Sequence, residues 1–316
     1  MSWWREGWAI PRRVLLLSLL VSVVLLVPLA IAYLLAGIPA ALALGMGYVA
    51  LVRPALTQRS EHTLGLAVPV ALAAGVAVAL RGQPFAAAGF VALCCLMVAP
   101  ANQLRDGLMA GLPTAAAVLV AVPGDFQPVP TAGWVLAGGA VVALVATRIQ
   151  RAAQPARITP VRAWRHAIVM AVAVGLVTYL VLALDVPHGY WVALTLTIVL
   201  RPFDDQTRSR ASQRVLGTFA GVLLAVVIAA VLPLWAVAVA LVACLVLMTA
   251  YSTIGDYTRQ VIFLTPTVVL LGSAGDLGLI AAERALATIT GAILAGLVAM
   301  GLVWLDSRDV AGKEVR

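Results

Sequence analysis

Charge is what this sequence has least of. Only 11% of its 316 residues are Asp, Glu, Lys or Arg, and 63% are hydrophobic, whereas a soluble domain carries about 25% charged residues. No stretch is polar enough to form a separate water-soluble domain, so the function lies within or beside a bilayer. Lysine is almost missing: Lys313 stands alone among 21 basic residues, a bias that reads as codon usage rather than chemistry. Cysteine is nearly as rare. Cys94, Cys95 and Cys244 sit inside apolar runs with no His or Cys at metal-ligand spacing, which points to packing and not to a metal site. Walker loops, dinucleotide fingerprints, His-Glu-x-x-His motifs and catalytic dyads are all missing. The expectation is a protein that is not an enzyme, with no catalytic residues, no cofactor, no metal and no nucleic-acid partner.

What the chain has is apolar runs, one after another, near the ~20 residues a helix needs to cross the hydrocarbon. The fold class expected is an all-α polytopic membrane protein. Its spans are read at 14–35, 39–52, 64–80, 84–99, 107–122, 131–147, 166–184, 188–200, 215–232, 235–250, 260–272 and 283–305, about 12 transmembrane helices. The first run has a basic flank, exceeds a signal-peptide core and lacks a small-residue cleavage site, so it reads as an uncleaved span. The same length argues against a twin-arginine signal at Arg12-Arg13. Basic residues in short loops stay cytoplasmic. With both termini inside, this layout puts 19 of the 21 basic residues on the inner side and leaves only Arg81 and Arg284 outside. The expected location is the cell membrane, crossed many times, with both termini cytoplasmic.

The runs also repeat. Pro39 to Pro54 and Pro187 to Pro202 share the frame P-x13-R-P. Downstream, Leu64-Gly65 answers Leu216-Gly217, Cys94 answers Cys244, and Pro113-Thr114 answers Pro266-Thr267. This ordered series reads as two parallel six-span repeats. The division expected is a first repeat at 1–147, a basic cytoplasmic linker at 148–165, a second repeat at 166–305 and a cytoplasmic tail at 306–316. Short or proline-broken spans at matching places in two halves point to a transporter's substrate site. The second span of each half fits, with a proline at each end, and the fifth spans carry Pro113 and Pro266. Gly107-x3-Gly111 and Gly217-x3-Gly221 read as close helix packing within the bundle.

Arginines gather at the cytoplasmic ends of the short spans: Arg53, Arg201, Arg208, Arg210 and Arg214, the last three in what reads as a loop before the span at 215. Guanidinium is permanently charged and forks onto carboxylates, so a basic vestibule would gather organic anions. The plainer reading is that cytoplasmic arginines fix topology and touch lipid headgroups. Arg201 and Arg53 stand out because each precedes a repeated proline. Tyr190 and Trp191 offer rings for stacking, although aromatics at span ends are expected anyway. Proton coupling needs a titratable group, and the candidates are His188, Asp204, Asp205 and Asp256; none lies in mid-span.

The segment 187–221, with HGYWVALT, then RP, then TRSRASQRVLGT, resembles the fusaric acid resistance family of membrane transporters. The positions that match its pattern are Tyr190, Trp191, Leu194, Thr195, Pro202, Thr207, Arg208, Arg210, Arg214, Gly217 and Thr218. The resemblance implies export of aromatic and other organic acids, and it adds Thr195 to the substrate-binding candidates. Two departures are plain. The large cytoplasmic domains of longer members are missing, and the first copy, LVRPALTQRSEHTLG, has no HGYW and places His62 opposite Arg214. The function expected is a secondary transporter exporting organic anions; the alternatives are a passive organic-anion channel and a non-transporting scaffold. Its partners would be the organic anion, membrane lipid, and a second copy of the chain or an envelope efflux component.

Overall fold

The structure, a computed structural model, describes residues 10–57, 60–104, 108–146, 158–202, 204–272 and 277–314. Among these residues the elements are all helices: α1 (Arg12–Thr57), α2 (Ser60–Ala79), α3 (Pro84–Leu96), α4 (Val98–Leu104), α5 (Gly111–Ala121), α6 (Pro128–Ala146), α7 (Pro160–Ala183), α8 (Tyr190–Val199), α9 (Asp204–Val231), α10 (Leu234–Ile254), α11 (Tyr257–Gly272) and α12 (Leu277–Glu314). Among the described residues eight stretches are long and apolar enough to cross a membrane, and α5 and α8 are shorter apolar helices. The chain is thus an all-α, multi-span membrane protein. Each expected span falls on helix, but twelve crossings and the six-plus-six repeat do not follow from these helices.

The differences have local causes. The spans read at 14–35 and 39–52 form one element, α1, interrupted at Ala36 (φ −145°, ψ 18°) and Gly37 (φ 73°, ψ −164°). Only glycine takes that second conformation at little cost. The run read at 84–99 divides at Met97, because Pro100 cannot donate to the preceding turn but is tolerated in the first turn of α4. The expected loop between 200 and 215 is mostly helix: α9 starts at Asp204, so Arg208, Arg210 and Arg214 ride on it. Pro113 sits in the first turn of α5, where a missing N–H breaks nothing. Pro266 lies well inside α11 and does leave a carbonyl without its intrahelical donor.

The contacts gather into two compact units, Val27–Arg208 with Thr290–Arg316, and Met1–Leu26 with Ser209–Ile289. In the first, α2 packs on α6 and α3 on α7, while α5 is enclosed by α2, α3, α7 and α8. Leu112 to Val120 of α5 are buried throughout, so this short helix shows no face to lipid. In the second unit α10 packs on α11, and a small core forms from Ala225, Val269 and Ala281. Here α9 meets α11 through glycines. A Cβ on Gly217 would lie 2.7 Å from Val261 Cβ and 2.8 Å from the Thr258 carbonyl oxygen; one on Gly221 would lie 2.6 Å from the Ile262 carbonyl oxygen. That last oxygen is the one Pro266 fails to engage, so the close approach shields a freed carbonyl. Gly217-x3-Gly221 is a packing motif, as its spacing suggests. The three cysteines are buried free thiols.

Candidate functional site

In the first unit the proline-framed segments converge on one place, the start of α5. On one side Gly111 lies against the backbone of Ala50, so closely that a Cβ has no room; Ala50 is three residues before Arg53, whose side chain is outside the described residues. On the other side the buried Thr114 hydroxyl donates to Thr197 Oγ1 of α8 at 3.0 Å, and Thr197 donates to the Leu194 carbonyl at 2.9 Å. The two helices too short to span therefore cross at a polar contact.

Below this crossing, α8 ends at Val199 and the chain turns through Leu200, Arg201 and Pro202. Thr207 holds the turn: its Oγ1 accepts the Arg201 N–H at 3.0 Å and donates to the Arg201 carbonyl at 3.3 Å. A cleft opens here, lined among others by Asn102 of α4, His166 of α7, Thr197 and Arg201. Asn102 is 1% exposed and His166 9%, so both present polar groups from a packed interior. The cleft volume is about 10 Å³, about that of a single water, and no organic acid fits in this state. Asn102 and His166 were not singled out from sequence. The available signals were slight: an amide at the close of an apolar run, and one of only three histidines at the start of a span.

The remaining candidates scatter. Tyr190 and Trp191 pack together with centroids 4.8 Å apart, and His188 meets Tyr190 edge-on at 6.2 Å. They occupy the opposite end of α8 from Arg201, about 16 Å away at ~1.5 Å per residue, and neither ring lines the cleft at Arg201. His188 holds φ 52° and Asp185 φ 48°, left-handed backbone that is costly for a non-glycine. Thr195 is fully buried, its hydroxyl has no hydrogen-bond partner among the described residues, and it stands where a Cβ on Gly291 of α12 would come within 2.7 Å. Arg208 is exposed. The side chains of Asp204 and Asp205 are outside the described residues. Asp256 starts α11 by accepting the Arg259 N–H at 3.0 Å, and its other oxygen pairs with Arg259 Nη1 at 2.8 Å; both oxygens are engaged.

In the second unit Arg210 lies over the Tyr257 ring, 4.2 Å from its centroid, and Arg214 Nη1 donates to the Tyr257 hydroxyl at 3.3 Å. Arg214 is 1% exposed. Thr207, Arg214, Gly217, Thr218 and Gly221 are all buried, whereas Arg208, Ser209, Leu216 and Phe219 are exposed. The motif residues Thr207, Arg214, Gly217 and Thr218 share the buried face of a helix, and Arg208 lies on its exposed face.

No match was found among curated proteins or among solved structures. Residues 176–298, the stretch from mid-α7 into α12, match the family described as fusaric acid resistance protein-like.

Proposed function

We propose that this chain is a secondary transporter that exports organic anions across the cell membrane, with aromatic carboxylates as the first class to test. The observation that carries the reading is Arg201: a fixed positive charge at a cleft that also presents Asn102, His166 and Thr197, at the junction of two helices too short to span. Guanidinium and amide donors suit a carboxylate. The family match over 176–298 supports efflux of organic compounds as the general activity. The cleft is too small for such a solute, so the reading requires a second state in which α5, α7 and α8 part. Movement between two states is how a secondary transporter limits leakage. Two parallel six-span repeats rocking about this region, with both termini cytoplasmic, complete the proposal.

The test is flux in reconstituted vesicles. Labelled benzoate should move uphill under an imposed pH gradient, and Arg201→Ala should abolish the movement while the protein inserts normally. Current without uphill transport would replace the exporter with an anion channel, and neither signal would leave a scaffold. Normal flux in Arg201→Ala would reject Arg201 as the site.

A further inference from the structure

We infer that Arg214, with Thr218, forms a second, buried docking position for a carboxylate inside the unit built from α9, α10 and α11. The argument starts from the guanidinium. Arg214 is 1% exposed, and its Nη1 is used by the Tyr257 hydroxyl. Its Nε and Nη2 have no hydrogen-bond partner among the described residues and no access to solvent. Those two N–H groups lie on the same edge of the guanidinium, and together they form a fork that matches the two oxygens of a carboxylate. A permanent charge buried with its Nε and Nη2 donors idle, three of the five N–H groups a guanidinium carries, is strongly unfavourable unless a counter-charge arrives.

The acidic group at the start of the facing helix does not supply one. The acidic residue that opens α11, Asp256, has one oxygen on Arg259 Nη1 at 2.8 Å and the other on the Arg259 backbone. Arg210, one turn before Arg214 on α9, adds a further positive charge over the Tyr257 ring. Thr218, one turn beyond Arg214 on the same buried face, also has an idle hydroxyl. Thr265 and Thr267 on the facing helix satisfy theirs by donating to the carbonyl four residues earlier, at 2.9 and 3.0 Å. An idle fork and an idle hydroxyl, four residues apart on the buried face of one helix, are donors of the kind a carboxylate takes. The inference deepens the transport reading, on which it rests for the class of ligand.

The test is benzoate binding to the purified full chain in phosphatidylcholine nanodiscs, measured by calorimetry and by the shift in melting temperature, against benzamide as the neutral isostere. Benzoate should bind and benzamide should not. Arg214→Lys keeps the charge without the fork, and should weaken benzoate at least tenfold while the ligand-free melting temperature stays near that of the wild type. Thr218→Val leaves the arginine and its Tyr257 anchor in place and should weaken benzoate about threefold, so the inference stays testable if Arg214→Lys folds poorly. Wild-type affinity in both variants, or equal binding of benzamide, overturns it. Displacement of benzoate by added phosphatidylglycerol overturns it too, by identifying a headgroup phosphate as the occupant. If the variants lose binding and wild-type vesicles carry no flux, the site stands and the transport reading falls. If flux is intact and Arg214→Lys binds as the wild type, the site alone falls.

Discussion

Two short helices end in two ways. The last carbonyls of α5 are closed by Arg81, which reaches over from the α2–α3 turn. Its Nε and Nη2 donate to the Leu119 carbonyl at 2.9 and 2.6 Å, Nη2 also to that of Val122 at 2.8 Å, and Nη1 to that of Gly124 at 2.8 Å. The guanidinium stacks on Phe126 at 4.4 Å. Helix ends leave carbonyls without partners and a partial negative charge, and one arginine answers both. Burial lowers the Arg81 pKa from its ordinary range, yet an arginine keeps its proton at neutral pH, so the cap is permanent. The end of α8 is held differently. There a threonine hydroxyl fixes the Arg201 backbone, and the side chain stands at a cleft. One arginine caps a helix end with its side chain; the other has its backbone held while its side chain lines a cleft. The charge is the same, and its environment assigns the role.

The largest effect should come from removing the capping one. Arg81→Ala leaves the end of α5 uncapped in a helix whose every side is packed, and should destabilise the protein by on the order of 2–4 kcal/mol, read as a lowered melting temperature in detergent. Arg81→Lys should recover only part of this, since an ammonium holds its three donors on one nitrogen and lacks the planar fork that reaches these carbonyls. Full stability in Arg81→Ala would erase the contrast between the two helix ends.

Arg201→Ala should do the reverse. The clamp from Thr207 is on its backbone and survives the change, so stability should fall less than in Arg81→Ala, while uphill benzoate flux falls at least tenfold. Arg201→Lys should keep a measurable fraction of the flux, because charge survives although the fork does not. A large loss of stability in Arg201→Ala would make it a second Arg81, and the comparison would collapse.

Much of this architecture could be read from the sequence because apolar runs and their proline and glycine boundaries are local signals. The break between 35 and 39 lies at Gly37, and the short span read at 188–200 is α8 at Tyr190–Val199. What could not be read was whatever depended on helix direction or on a distant partner. The motif at 207–221 has spacings of three and four, yet its charged residues made it look like a loop; burial shows a helix face, with Arg214 inward and Arg208 outward. The sequence marks Arg81 only as one of two basic residues expected on the outer side, and its role needs carbonyls some forty residues away. Asn102 and His166 are near Arg201 only because α4 and α7 pack together. Tyr190 and Arg201 are close in sequence, and ten residues of helix keep them apart.

The smallest effect tests whether the two short helices act together. Thr114 donates to Thr197 across the crossing, but each hydroxyl has a local alternative or second partner: Thr114 also lies 3.2 Å from the Ala110 carbonyl, and Thr197 donates to Leu194. Thr197→Val would therefore let Thr114 fall back on Ala110, and Thr114→Val would leave the Thr197–Leu194 bond intact. Neither change strands a buried donor, so each should cost only about 0.5–1.5 kcal/mol. Measured as a double-mutant cycle, the pair should show a coupling of roughly 0.5–1 kcal/mol. If α5 and α8 part during transport, the bond breaks on the way, and removing it should leave benzoate flux unchanged or modestly raised even as stability falls. Flux that falls in proportion to stability would mean that the crossing is only a fixed scaffold contact, and that Arg201 is presented by a rigid frame rather than by a moving one.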